Sequence, residues 1–160
     1  MNNLKYVKYL GIFLSDSCRD DDDIQRQTRV FYMQANLLLR KFYHCSYEVK
    51  VMLFNSYCTS LYCASLWTHY RKNSFSKLRA SYNNAFRRLF NYARDCSASE
   101  MLVSNRVNTM DTLWRKQVFS LRQRLQHSCN TLVQTMLYSD IFYVSPIIRH
   151  WDNLLYMHYG

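Results

Sequence analysis

Between Val51 and Tyr70 the chain runs for 20 residues, VMLFNSYCTSLYCASLWTHY, without one Asp, Glu, Lys or Arg. A helix built from this stretch has apolar side chains in every direction and must be covered on most faces. The expectation is a central, buried helix, opened by Ser46 as N-cap with Glu48 in its first turn and closed at the polar turn Arg71-Lys72-Asn73. The flanking amphipathic segments then have something apolar to pack against. Twenty uncharged residues are also enough to cross a bilayer. Asn55, Ser56, Thr59, Ser60, Ser65 and Thr68 argue against that, as does the lack of a second such span, so no membrane partner is expected.

The remaining composition points the same way. With 2 Gly and 1 Pro in 160 residues, the chain lacks the turn residues that a sandwich or barrel consumes, and 49% hydrophobic residues exclude wholesale disorder. The expected fold is mainly α, a single bundle of about four to six helices with a short N-terminal β-strand. Six cysteines occur without a CxxC pair, so zinc is not expected, and neither is any other metal or cofactor. No secretory signal or glycosylation sequon is present, which fits reduced, buried thiols in the nucleus or cytoplasm.

The charge is lopsided. The formal net is +10, yet four of the 11 acids sit together at Asp20–Asp23. From Arg71 to Arg124 there are 12 Lys and Arg against 3 Asp and Glu, a field that favours polyanions. Enzyme chemistry finds little support. His44, His69, His127, His150 and His158 are scattered without paired carboxylates, and Gly11 and Gly160 alone cannot build a phosphate-cradling loop.

In chain order, Tyr6, Val7, Tyr9, Ile12 and Phe13 favour a strand, with Gly11 as a close approach or bulge; no second strand is evident to pair with it. The four aspartates suit a helix start, and their divergent directions argue against a metal site. Ile24, Thr28, Phe31, Ala35, Leu38 and Phe42 form one apolar stripe. Ser74 is placed to cap a helix from Phe75 to Arg94. Its inner arc carries Leu78, Tyr82, Ala85, Phe86, Leu89 and Ala93, and its outer arc Lys77, Asn84, Arg87, Arg88 and Arg94. Asp95 is the first acid after Glu48, so this face lacks the mixed signs of an ordinary solvated helix. Ser97-Ala98-Ser99-Glu100 reads as a capping box for a short helix to Ser104. A longer helix from Met110 aligns Trp114, Val118, Leu121, Leu125, Leu132 and Met136, with Arg115 and Arg122 sharing another face. Pro146 breaks the pattern, and the tail that follows has room for one short helix before it stops at Gly160 without a clear cap.

Three pieces in this order carry a resemblance. Lys8-Tyr9-Leu10-Gly11-Ile12 is similar to the KYLG strand that follows the palm of non-long-terminal-repeat retrotransposon reverse transcriptases. Lys50 to Tyr57, continuing through Leu61-Tyr62 and Leu66-Trp67, resembles their thumb helix. Phe86-Arg87-Arg88-Leu89-Phe90, with Ser97–Met101 and Arg106, resembles the basic segment and serine-rich cap beyond it. The resemblance covers about residues 5–138 and departs from the family at Ala64, Ser65 and Leu66, where a Gly and a Glu are common. It implies a remnant of a primer-grip hairpin over 1–15, with Tyr9, Leu10 and Gly11 as the primer-end contact and its pairing strand missing. It implies a helical thumb-like domain over 16–140 and a tail over 141–160.

The implied role is gripping template–primer duplex, an RNA–DNA hybrid or another nucleic-acid duplex, by its phosphates. Arg71, Lys72, Lys77, Arg87, Arg88, Arg94, Arg115 and Arg122 are the expected contacts. The palm's Ala/Tyr-Ala-Asp-Asp turn, which helps hold two metals in an RNA-directed DNA polymerase, does not occur in these residues, and the Asp20–Asp23 run lies on the wrong side of the KYLG strand to replace it. No catalysis is therefore expected of this chain by itself, and a palm-bearing reverse transcriptase chain is an implied partner. The alternatives are a helical module that binds an acidic protein, and a transposon relic with no selected function.

Overall fold

The computed structural model describes residues 6–156; the expected strand's Leu4 and Lys5, and the tail's last residues with His158 and Gly160, lie outside them. The fold is mainly helical with a two-stranded antiparallel sheet at its start. Strand β1 (Tyr6–Tyr9) pairs with β2 (Ile12–Ser15), Tyr9 opposite Ile12. The strand expected to lack a partner is thus two strands folded at Leu10-Gly11. Both turn residues have positive φ, 45° and 85°, as a tight two-residue hairpin requires. The Tyr62 hydroxyl donates to the Leu10 carbonyl at 2.8 Å, and a Cβ at Gly11 would lie 3.1 Å from the Tyr62 ring.

Helices α1 (Asp21–Lys41) and α3 (Lys72–Phe90) form the main packing pair. They run parallel, Ser74 opposite Asp21 and Ser81 opposite Tyr32. Their apolar stripes are the expected ones: Ile24, Phe31, Ala35 and Leu38 are buried on α1, and Leu78, Tyr82, Ala85, Phe86 and Leu89 on α3. Phe31, Phe54, Tyr82 and Phe86 interlock edge-on or tilted, Phe54 lying 5.0 Å from Phe86 and 5.3 Å from Tyr82. Helix α3 starts at Lys72, so Ser74 lies inside it and hydrogen-bonds Asp21 in place of capping. It stops at Asn91, whose left-handed φ of 55° an asparagine tolerates, and Ala93 is left exposed.

The uncharged run is the hub of the core, but it is not one helix. Helix α2 (Tyr47–Cys58) ends after 12 residues, and a loop with a single 3-10 turn at Ala64–Leu66 follows. The Ser46 cap forms, its hydroxyl accepting from the Val49 N–H. The loop survives burial because side chains from elsewhere satisfy its backbone. Gln27 donates to the Ser60 carbonyl at 3.0 Å, Trp114 to Ala64 at 2.8 Å and Trp151 to Ser65 at 2.8 Å. Trp67 sends its own indole N–H to Asp23 at 2.9 Å. Among the described residues no helix is long and apolar enough to cross a membrane.

The aspartate run holds this loop in place. Asp20 accepts the Thr68 and His69 N–H groups, each at 2.8 Å, and Asp21 accepts the Arg71 N–H at 2.9 Å and the Ser74 hydroxyl at 2.5 Å. Asp23, 3% exposed, binds Trp67, the Phe13 N–H and the Arg26 guanidinium at once. Burial works against ionisation of Asp21, but the Ser74 and Arg71 hydrogen bonds, with Arg19 beside them, outweigh it and hold the carboxyl below its usual range.

Beyond α3 come α4 (Ala98–Ser104), α5 (Met110–Gln126), α6 (Thr131–Leu137), α7 (Asp140–Tyr143) and α8 (Pro146–Tyr156). Ser97 flanks α4 without making the expected cap bond. The helix read from Met110 to Met136 breaks at His127, and Asn130 caps the next piece, leaving Leu132 80% exposed. Pro146 starts α8 instead of merely ending order, in keeping with proline's preference for the first helical position. Of the six thiols, expected to be buried, Cys58 is and its pKa is pushed up to about 12 by that burial; Cys18 and Cys129 are exposed.

Candidate nucleic-acid interface

The parallel packing of α1 and α3 leaves a groove along one side of the pair. Its C-terminal part is a cleft of about 920 Å³ lined by Asn36, Asn84, Arg87, Arg88, Asn91 and Arg94, with Tyr32 and Tyr92 among the walls. Tyr32 and Asn84 also line an adjoining cleft of about 580 Å³, which adds Arg29 and Lys77 and ends at Asp21 and Asp22. Parallel helices bring two negative dipole ends together. Arg40 and Lys41 on α1, and Arg87 and Arg88 on α3, sit in those last turns and offset them. Lys77 lies mid-helix, where no such local reason applies.

The eight expected contacts do not form one ridge. Lys77, Arg88 and Arg94 are exposed along the groove, and among the described residues none of them has a carboxylate partner. Arg87 lines the same cleft but is committed to structure. It donates to the Cys96 carbonyl at 2.9 Å and to Asn84 at 3.1 Å, which ties the end of α3 to the following loop. Arg71 is exposed where its backbone N–H meets Asp21. Lys72 and Arg115 belong to a second concavity on the other flank of α3. Arg122 is ion-paired with Asp152 at 2.5 Å and lies over the Tyr156 ring, which joins α5 to α8 and removes it from the exposed set.

Tyr9 and Leu10 are exposed at the hairpin tip, but neither they nor Gly11 lines the groove. Two cations that line these concavities, Arg29 and Arg79, were not singled out from the sequence. Arg29 reaches the groove because α1 packs beside α3, a tertiary fact with no local signature. Arg79 lies on α3 but faces Asp111 at 2.6 Å, on the flank of Lys72.

Among the described residues no group of His, Cys, Asp or Glu is arranged to hold a metal ion. The groove itself offers fixed positive charge and amide donors, Asn36, Asn84 and Asn91 standing among the arginines. Compared with protein families, curated proteins and solved structures, the chain matches none.

Proposed function

We propose that this chain is a nucleic-acid-binding, thumb-like region of the kind found in non-long-terminal-repeat retrotransposon reverse transcriptases, and that it holds duplex through its phosphates. The observation that carries the reading is the set Arg29, Lys77, Arg88 and Arg94 along the α1–α3 groove, none of which is ion-paired among the described residues. Lys77 and Arg88 are separated by three helical turns, about 16 Å. That is the rise of about five base pairs, so a strand laid along the groove meets more than one cation. Exposed arginines and asparagines supply donors to phosphate oxygens without reading bases. A hybrid duplex, recognised by shape and backbone, suits such a surface. No catalysis is assigned to these residues; a palm-bearing chain would supply it.

The test is a salt titration of binding to an RNA–DNA hybrid. If four phosphates are neutralised, affinity falls about 100-fold between 50 and 200 mM salt. Hybrids of unrelated sequence should bind alike. Affinity that ignores salt, or that follows base sequence, removes the reading.

A further inference from the structure

The opposite flank of α3 carries a second site that shares no residue with the groove. Helices α3, α5 and α8 enclose a concavity of about 420 Å³. Its aromatic wall is built from Phe75 and Trp114, 4.6 Å apart, with Tyr70 and His150 packed edge-on to each other at 6.1 Å. Phe75 and Trp114 are buried, whereas Tyr70 and His150 keep part of their rings accessible.

Cations stand around this wall. Lys72 is exposed at the start of α3, Arg115 is half-buried on α5, and Arg79 is bound to the one carboxylate of the site, Asp111. Burial, with the His69 charge adding to it, favours the neutral imidazole of His150. Two positive charges are therefore left over. Among the described residues, two buried nitrogens here also find no partner: Arg115 Nε and His150 Nε2. Unmade hydrogen bonds of buried groups are costly, so a small side-chain shift that opens either nitrogen to a polar ligand is favoured.

We propose that this concavity binds a nucleoside monophosphate, its dianionic phosphate between Lys72 and Arg115 and its base against Tyr70 and His150. The charge balance favours a phosphate monoester, which carries about −1.5 to −2 near neutrality. The half-exposed rings favour a flat heterocycle, and aromatic contact of this kind tolerates any base. A volume of about 420 Å³ lies within the range of small-ligand sites. The nucleotide can be free or can be the phosphorylated end of a single strand.

Calorimetric titration of the full chain with AMP, adenosine and inorganic phosphate tests the site. AMP is expected to bind about tenfold tighter than either half-molecule. Lys72→Gln, at an exposed position that the fold does not need, should weaken AMP several-fold, as should His150→Gln, while Arg88→Gln in the groove leaves AMP binding unchanged. A 5′-phosphorylated octanucleotide that matches AMP assigns the site to strand ends; AMP binding tighter than the strand assigns it to free nucleotide. Phosphate binding as tightly as AMP, or Arg88→Gln weakening AMP as much as Lys72→Gln, overturns the proposal, since either result reduces it to the general basic field.

Discussion

The two ends of the α1–α3 pair treat charge in opposite ways. At the N-terminal end the carboxylates of Asp20, Asp21 and Asp23 collect N–H and hydroxyl donors from the hairpin, from α1, from the 67–71 loop and from α3. At the C-terminal end Arg88 and Arg94 meet no carboxylate among the described residues. Partnered charge fixes structure, and its removal leaves donors stranded. Unpartnered charge at a surface contributes little to folding and remains free for a ligand. On the proposed reading, the contrast gives stability to one end and recognition to the other.

Asp23→Ala breaks the contrast most severely. It takes the partner from the buried Trp67 indole and from the part-buried Arg26 guanidinium, and should cost about 3 kcal/mol, read as a shift in the urea midpoint. At the other end, Arg88→Gln with Arg94→Gln should cost about tenfold in hybrid affinity per charge and reduce the salt slope by about 2. The same double variant should move stability by less than about 0.5 kcal/mol. If it unfolds the protein, the two ends are not separable. Trp151→Phe keeps an aromatic ring but orphans the Ser65 carbonyl, with an expected cost of about 1 kcal/mol.

The smallest effect is that of pH. Burial, helped by the His69 charge, holds His150 below the ordinary 6.5, so the unfolded chain takes up its proton first. Its contribution is complete above 6.5 and is lost as pH falls through the folded value. Asp21, lowered from 3.8, acts in the same direction in more acid solution. Urea midpoints measured from pH 8 to pH 5 should decline, and His150→Gln should flatten that decline without touching the Asp21 range.

The helical stripes of α1 and α3 were legible because a 3.6-residue period survives in the spacing of Ile24 to Leu38 and of Leu78 to Leu89. The run after Cys58 was not. A stretch without charge has no period to read, and what keeps it from being helical is the supply of donors from Gln27, Trp114 and Trp151, the last of them 86 residues away. The hairpin was hidden for a related reason: Leu-Gly is not a recognised two-residue turn, so both strands read as one. Basic residues on α3 could be seen, but their availability could not. Arg87 and Arg122 are withdrawn by the Cys96 carbonyl and by Asp152, partners set by the tertiary fold.

Leucine is a poor choice for a left-handed position, where a side chain costs about 1 kcal/mol or more, yet Leu10 occupies one. The bend is therefore imposed from outside: Tyr62 grips its apex and Asp23 its stem. Such a hairpin is a follower in folding. It should close only after α1 and the 59–67 loop have come together, and it should exchange its amide hydrogens well before α3 does.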